Sequence, residues 1–261
     1  MSHVPVCAAE HAAANREIMG SSLTRFPGVY PLALDPGAAR LCGDHLFRNW
    51  VSNRLGTLRL GDTVLHGYNT YRGTLKQPAN SDRQRKDTLL IAPAHVPVAM
   101  ARLPGFAELV AEATRGLARH MGMAPSRLKL EYGHALNQCP KSARASLFDW
   151  HRDTDVGGAG GTDVGAGDGA PPRDIEFTVI VKLNDDKVGA SPSRMIIAAA
   201  SEPFSYGAAA GSTACFRSAL WHASVMPASP DACIKLALFY SVVPDPKPPI
   251  GLCCPNSQTL A

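Results

Sequence analysis

The sequence predicts an α+β protein, mainly β, whose second half is a sandwich or barrel and whose mixed, partly helical first half packs against it. Residues 130–243 contain several short strand patterns separated by Gly, Pro and Ser, and no stretch there fits a helix of normal length. Residues 104–121 carry the clearest helical pattern of the chain. With 261 residues, 45% of them hydrophobic, the chain has enough apolar material for the core of one large domain.

Three helices and a strand region are predicted in the first half. Residues 7–19 are alanine-rich with helical spacing, and residues 41–55 also fit a helix, after a turn signal at Asp35-Pro36-Gly37. Residues 57–71 have the pattern of one or two strands. In residues 104–121 a proline stands at the start, and apolar residues recur at steps of three and four: Phe106, Leu109, Val110, Ala113, Leu117 and Met121.

The second half has five segments of alternating or β-branched residues bounded by turn formers, which predict strands. They are residues 127–132, 175–183, 194–200, 212–216 and 233–243. Residues 157–172 (GGAGGTDVGAGDGAPP) are low in complexity and offer no side chains for packing, so we expect a flexible loop there.

Charge and cysteine usage argue against several classes of protein. The net charge of +4 is only mildly basic, and the densest basic run, residues 83–86, is expected to be a solvated loop. Seven cysteines without a C-x-x-C spacing indicate free thiols in a reducing compartment. No signal-peptide pattern is visible, and no apolar run reaches the roughly 18 residues of a membrane span. We therefore expect an intracellular protein, cytoplasmic or nuclear, without a membrane partner.

The most informative segment is Trp150-His151-Arg152-Asp153. In an extended chain alternate residues face the same side, so His151 and Asp153 project together. An imidazole and a carboxylate side by side supply two ligands of a facial metal triad, which a second histidine would complete and which suits non-haem iron(II). Alone the motif is a weak signal, because a histidine beside an acid on a surface turn is common.

His222 supplies the second histidine. It ends the segment that begins at Gly211, a glycine turn followed by a short apolar strand, and it stands beside Trp221. Thirteen residues later, Lys235 interrupts a strand that is apolar on both faces. A lysine there either snorkels out or binds an anion, because an unpaired buried charge is costly. The sharper hypothesis is that Lys235 binds the carboxylate of a small cosubstrate; Lys182, at a strand end, is a rival anchor.

This ordered set resembles the iron(II)/2-oxoglutarate-dependent dioxygenase superfamily, over roughly residues 128–243. The resemblance implies a double-stranded β-helix, or jelly roll, as the core at residues 128–243, with residues 1–127 as a support region and residues 244–261 as an irregular tail. It does not separate the prolyl-hydroxylase-like branch from the branch that oxidises 5-methylcytosine.

Carried over to this chain, the resemblance makes His151, Asp153 and His222 the ligands of Fe(II). It makes Lys235 the partner of the distal carboxylate of 2-oxoglutarate, through a charge-assisted hydrogen bond. The hydroxyl residue often found two positions later is replaced by Ala237, so another donor is needed, and Tyr132 is the candidate. Ascorbate is a further cofactor candidate.

Two further residues are assigned to the pocket. Trp150 is expected to pack beside the metal or at the pocket mouth, and Arg217 to face the pocket and meet an anion. His134 and His120 are expected at a turn or on a helix surface.

The resemblance implies that oxidative decarboxylation of 2-oxoglutarate drives oxidation of an organic substrate, with hydroxylation as the default. The substrate stays open among small molecules, peptides and nucleic acid, and so does the oligomeric state. One alternative is an oxygenase of modified bases in nucleic acid. A second alternative, of another class, is a cupin-like metal-binding protein without redox turnover.

Overall fold

The computed structural model of the protein describes residues 7–19, 28–32, 34–52, 56–70, 85–139, 150–154, 175–187, 193–198, 200–225 and 233–244. Its helices are α1 (Cys7–Met19), α2 (Pro36–Leu46), α3 (Val96–Arg102) and α4 (Phe106–Met121). Its strands are β1 (Val29–Tyr30), β2 (Thr57–Leu60), β3 (Thr63–Thr70), β4 (Arg85–Ile91), β5 (Leu128–Cys139), β6 (Phe177–Lys182), β7 (Arg194–Ile197), β8 (Phe204–Ser205), β9 (Thr213–Arg217), β10 (His222–Val225) and β11 (Cys233–Val242). No described helix is long and apolar enough to cross a membrane.

Two antiparallel sheets organise the molecule. The larger has eight strands in the order β1-β9-β6-β11-β5-β4-β3-β2, and the smaller has three in the order β10-β7-β8. The fold is therefore α+β with a large antiparallel sheet, as predicted. Strands from both sides of residue 127 share the larger sheet, because β4 pairs with β5.

Residues of the larger sheet alternate between two apolar layers. On β6, Phe177, Val179 and Val181 belong to the layer that contains the buried side chains of α2 and α4, whereas Ile180 belongs to a second layer. The second layer also contains Met195 of β7, in the smaller sheet. Successive side chains of a strand face opposite ways, and an apolar layer covers each face of the sheet here. The side chains of β6 and β11 are therefore buried almost without interruption.

Helix α4 confirms the predicted amphipathic stripe. Its buried side chains include Phe106, Leu109, Val110, Ala113 and Leu117. Glycines in the left-handed conformation stand at both ends, Gly105 with φ 73° and Gly122 with φ 64°. A left-handed residue cannot continue the helix, so both boundaries have a backbone cause.

Two assignments in the first half are corrected. The Asp35-Pro36-Gly37 signal does not precede a separate helix at 41–55 but begins α2, because Asp35 accepts hydrogen bonds from the N–H groups of Gly37 and Ala38. The helical chain ends as a π-helical turn at Phe47–Val51. Within the basic run 83–86, Arg85 and Lys86 begin β4 instead of lying in a loop, since the apolar part of that strand follows them. Residues 83 and 84 lie outside the described residues.

The other predicted strands are found with altered bounds. The region 57–71 forms the hairpin of β2 and β3, and the strand expected at 127–132 extends to Cys139 as β5. The described part of residues 130–243 contains no α-helix. The loop expected at 157–172 lies outside the described residues. Of the tail expected at 244–261, only Pro244 is described.

Candidate metal centre

His151, Asp153 and His222 converge at one place between the two sheets. Oδ1 of Asp153 lies 3.7 Å from Nε2 of His151 and 3.7 Å from Nε2 of His222. One ligand atom from each residue lies within 4.8 Å of the other two. His222 and Asp153 are buried, while His151 keeps 19% of its side chain exposed. The three residues that sequence spacing singled out therefore form one cluster with an opening on the His151 side.

Backbone pairing holds the two chain segments of the cluster together. His151 and His222 form an isolated antiparallel bridge, in which each N–H donates to the carbonyl of the other at 3.0 Å. The N–H of Asp153 donates to the carbonyl of Ser218 at 2.9 Å. Paired backbone in an antiparallel bridge places opposite side chains on one side, and so both imidazoles face the same point.

The tautomer of His222 follows from its neighbour. Nδ1 of His222 lies 3.0 Å from the carbonyl oxygen of Leu220, which can only accept a hydrogen bond. Nδ1 therefore carries the proton, and the lone pair of Nε2 points toward Asp153, as a metal-ligating nitrogen requires. The edge of Phe216 packs against the imidazole at a centroid distance of 4.7 Å and limits its rotation.

The cluster fits a divalent transition metal. It offers two imidazole nitrogens and one carboxylate on one side of a point, the donor set of the 2-His-1-carboxylate triad. Oδ2 of Asp153 is buried and has no hydrogen-bond partner among the described residues. An unpartnered buried carboxylate oxygen is costly, and a cation between the three side chains would compensate it.

Lys235 does not snorkel. Its side chain is 1% exposed, and its Nζ has no hydrogen-bond partner within the described parts of the chain. The ammonium instead sits 4.4 Å from the centre of the Tyr206 ring. Burial lowers the pKa of Lys235 below its ordinary value of 10.5, and Lys182 adds to this, while Cys233 and Asp186 oppose it. No anionic group of the described residues therefore contacts this buried amine.

Lys182, the rival anchor, is already occupied. It pairs directly with Lys235 across β6 and β11 and is fully buried. Its Nζ forms an ion pair with Asp186 and donates to the carbonyls of Gly207 and Ala208. These partners satisfy its three donors, and Lys235 is left as the lysine available to a bound anion.

Sequence reasoning missed Tyr206, whose ring contacts Lys235. Burial, followed by the charges of Cys233 and Asp153, raises the pKa of the Tyr206 hydroxyl. No sequence signal could have located this residue, because only the fold brings residue 206 to Lys235.

The strand register does not place Tyr132 beside Lys235. Tyr132 lies opposite Phe239 and stacks on it at 4.4 Å. Phe239 is four residues from Lys235, which is roughly 13 Å along a strand. The residue opposite Ala237 is His134, which is buried in β5 and contacts both aromatic rings. The expectation of a turn or helix-surface position for His134 was wrong, because β5 runs on through it.

Trp150 lies next to the triad, whereas Arg217 does not. Trp150 is partly buried beside His151, with its ring 5.9 Å from that of His11. Arg217 is exposed at the end of β9, pairs with Phe177, and lines a cavity of about 180 Å³ with residues of α4. Phe177 belongs to the helix-facing layer, so the structure does not bring Arg217 to the triad.

Comparisons with known proteins identify the fold. No protein-family model and no curated protein matches the sequence. Among solved structures, AviO1 from Streptomyces viridochromogenes Tue57 matches with a TM-score of 0.51 and 15% identity, over 91% of this chain and 97% of that chain. The non-heme alpha ketoglutarate dependent epimerase SnoN from nogalamycin biosynthesis matches with a TM-score of 0.50 and 14% identity, over 91% and 83%. An oxidoreductase of the 2OG-Fe(II) oxygenase family from Burkholderia pseudomallei matches with a TM-score of 0.48 and 15% identity, over 90% of each chain.

At these identities the matches with AviO1 and SnoN establish a shared fold alone. SnoN is described as alpha ketoglutarate dependent, that is, dependent on 2-oxoglutarate. The shared fold agrees with the resemblance inferred from four residues and their strand contexts. The chemistry of this chain has to be argued from its own residues.

Proposed function

We propose that this protein is an Fe(II)- and 2-oxoglutarate-dependent oxygenase, with hydroxylation of an organic substrate as its default reaction. One observation supports the proposal: a 2-His-1-carboxylate cluster and a buried lysine without a hydrogen-bond partner among the described residues adjoin the same apolar layer, in which Phe216 contacts His222 and Tyr206 contacts Lys235. We further propose that the two sheets form a double-stranded β-helix, with residues 128–243 as its core. SnoN, an epimerase, shows that one fold accommodates other outcomes.

The triad residues would hold the metal. His151 and Asp153 contribute from one segment and His222 from the facing segment, and their backbone bridge sets the spacing. A 2-His-1-carboxylate site leaves coordination positions open for reactants. Iron(II) bound there would supply the activation of dioxygen together with 2-oxoglutarate. The protein's contribution is to orient the His222 ring, through the contact of Nδ1 with the Leu220 carbonyl, so that Nε2 faces the metal, and to bury the carboxylate of Asp153.

Lys235 would hold the distal carboxylate of 2-oxoglutarate. Among the described residues its ammonium has no anionic partner in contact, and it has little access to water, so a carboxylate is the group that would compensate it. In place of the hydroxyl residue absent at Ala237, we propose His134, opposite that position, as a wall or donor of the cosubstrate pocket. Tyr132 would line the same pocket nearer the metal.

Turnover tests the proposal. Purified protein with Fe(II), 2-oxoglutarate and oxygen should release succinate, and more of it with an acceptable substrate among free amino acids, prolyl peptides and methylated DNA or RNA. His151→Ala and Asp153→Ala should abolish the release. Metal-dependent turnover that survives both substitutions would show that the triad is not the metal site.

The same experiment separates the alternatives. Turnover stimulated only by nucleic acid would support the hypothesis of an oxygenase of modified bases. A metal-loaded protein that neither binds nor consumes 2-oxoglutarate would support the hypothesis of a cupin-like metal-binding protein. Ascorbate remains a candidate from the resemblance alone, and its omission from the assay is the control.

A further inference from the structure

Helix α1 contacts the two segments that carry the triad. Asn15 is buried at 1% exposure in the middle of this helix, although asparagine is a poor residue for a helix interior. Its Nδ2 donates to the carbonyls of Ala198 at 2.9 Å and Trp221 at 3.0 Å, and its Oδ1 accepts from the N–H of Trp221 at 2.8 Å. The amide therefore binds both polar groups of the Trp221 backbone, directly before His222.

The hydrogen bonds of Asn15 also join α1 to the two strands that meet beside Trp221. The N–H of Ala198 donates to the same Trp221 carbonyl at 3.0 Å, so the end of β7, the start of β10 and α1 meet at one peptide. An amide has two donors, and here both are used on carbonyls while its oxygen receives an N–H. This pattern leaves one orientation of the amide and one position for Trp221.

His11, one helical turn earlier, reaches the other segment. Its ring stacks on Trp221 with centroids 3.7 Å apart and planes 16° apart, and it lies 5.9 Å from Trp150. Arg152, between the ligands His151 and Asp153, places its guanidinium 5.1 Å from the Trp221 ring. Nδ1 of His11 is buried without a hydrogen-bond partner among the residues the structure describes, so the contact of this ring is stacking.

We propose that α1 is a clamp on the metal centre, with Asn15 and His11 as positioning residues that hold the two ligand segments in register. This inference rests on the proposed function and adds the element that supports it. The bridge between His151 and His222 is a single isolated residue pair outside any longer strand pairing, and one such bridge is weak without further contacts. The contacts of α1 supply that support from outside both sheets.

Metal binding and a spectrum test the proposal without turnover. Trp150 and Trp221 are two of the three tryptophans in the chain and adjoin the ligands, so quenching of tryptophan fluorescence by Co(II) reports the metal Kd. The visible absorption of bound Co(II) reports the ligand geometry. We compare wild type with Asn15→Leu, which keeps the branched shape of the side chain but removes all three hydrogen bonds, and His11→Ala with His11→Phe, which keeps a stacking ring. Arg16→Ala, at an exposed position of α1, is the matched control.

The expected result is a Kd raised about tenfold or more in Asn15→Leu and His11→Ala, with an altered Co(II) spectrum. His11→Phe and Arg16→Ala should behave as wild type. If Asn15→Leu does not fold, the two His11 variants decide alone. Unchanged Kd and spectrum in folded His11→Ala or Asn15→Leu would overturn the clamp but not the proposed function, whereas failure of the wild type to bind Co(II) would overturn the proposed function itself.

Discussion

Lys235 is the buried charged residue on which the proposed binding of 2-oxoglutarate depends. Its side chain is 1% exposed, its Nζ has no hydrogen-bond partner among the described residues, and it lies opposite another lysine across the sheet. A buried ammonium without such a partner destabilises the fold, which is why we propose an anion as its ligand. On this proposal, Lys235 lowers the stability of the free protein and contributes to binding.

Replacing Lys235 by methionine should separate these two effects. Lys235→Met keeps the length of the side chain and removes the charge, so the free protein should gain about 1–3 kcal/mol in its free energy of unfolding. Binding of 2-oxoglutarate to the metal-loaded protein should weaken at least a hundredfold. Chemical denaturation and calorimetric titration measure the two quantities; a variant that loses stability and keeps its cosubstrate affinity would contradict the anchor.

The same lysine predicts a pH dependence. Its pKa is lowered in the folded protein, so the unfolded chain binds the proton more tightly than the folded chain does between the lowered pKa and 10.5. Stability owed to this residue is therefore lowest below that window and rises with pH through it. The facing groups Lys182, Asp186, Cys233 and Tyr206 are unchanged in Lys235→Met, so the stability difference between variant and wild type should shrink as pH approaches 10.5. A difference that is constant from pH 7 to 10 would contradict the burial of a charged Lys235.

Residue chemistry made part of the site predictable. His151, Asp153, His222 and Lys235 were found because each is an unusual residue for its strand context, and their order along the chain matches one chemistry. Asn15 was not found, although a polar residue inside an alanine-rich helix is a local signal, because its partner Trp221 lies 206 positions away. Long-range contacts of this kind depend on how the sheets meet, which no local pattern encodes.

At the scale of elements, two glycines allow α2 to pack closely against neighbouring backbone. A methyl group on Gly43, inside α2, would lie 2.5 Å from the carbonyl oxygen of Leu183, which follows β6. A methyl group on Gly105, at the start of α4, would lie 2.2 Å from the carbonyl oxygen of Ala38, in α2. Both obstacles are backbone atoms, so neither can move aside cheaply.

Gly43→Ala should therefore destabilise the protein, although alanine favours a helix. We expect a loss of about 1–3 kcal/mol, because α2 must move off the sheet. Gly116→Ala is the matched control: it is also helical, but its added methyl would meet only the flexible side chain of Leu32 at 3.3 Å, so the gain in helix propensity should nearly offset the contact. Thermal unfolding of both variants decides, and equal melting temperatures would contradict the close approach.

Elements were predicted best where a pattern ran without interruption. The stripe of α4 and the apolar runs of β6 and β11 appeared as expected. Strand β4 was missed because its first residues are basic, and β1 and β8 because two residues carry no periodicity. Pairing with neighbours in the sheet, and not local propensity, makes such segments strands.

At the scale of the whole molecule, the site joins parts that lie far apart in the chain. The triad comes from two segments, the proposed anchor from β11 and the proposed clamp from α1. A ligand that binds the folded protein and not the unfolded chain stabilises the native state by mass action. Mn(II) and 2-oxoglutarate at about 100 times their Kd should each contribute about 2.7 kcal/mol.

Thermal shift measures this coupling. Both ligands together should raise the melting temperature by about 10–20 °C, since about 1 kcal/mol corresponds to 2–4 °C at this size. Asp153→Ala should remove both parts of the shift, because 2-oxoglutarate binding requires the metal, whereas Lys235→Met should remove only the part that depends on 2-oxoglutarate. A full shift retained in Asp153→Ala would place the metal elsewhere.

The central claim is that 2-oxoglutarate binds between the metal triad and Lys235. Calorimetric titration of 2-oxoglutarate into the protein with and without Mn(II) tests it most directly. We predict one binding site per chain that requires the metal, is lost in Asp153→Ala and is weakened at least a hundredfold in Lys235→Met. Binding of equal strength without metal, or undiminished in Lys235→Met, would contradict the claim.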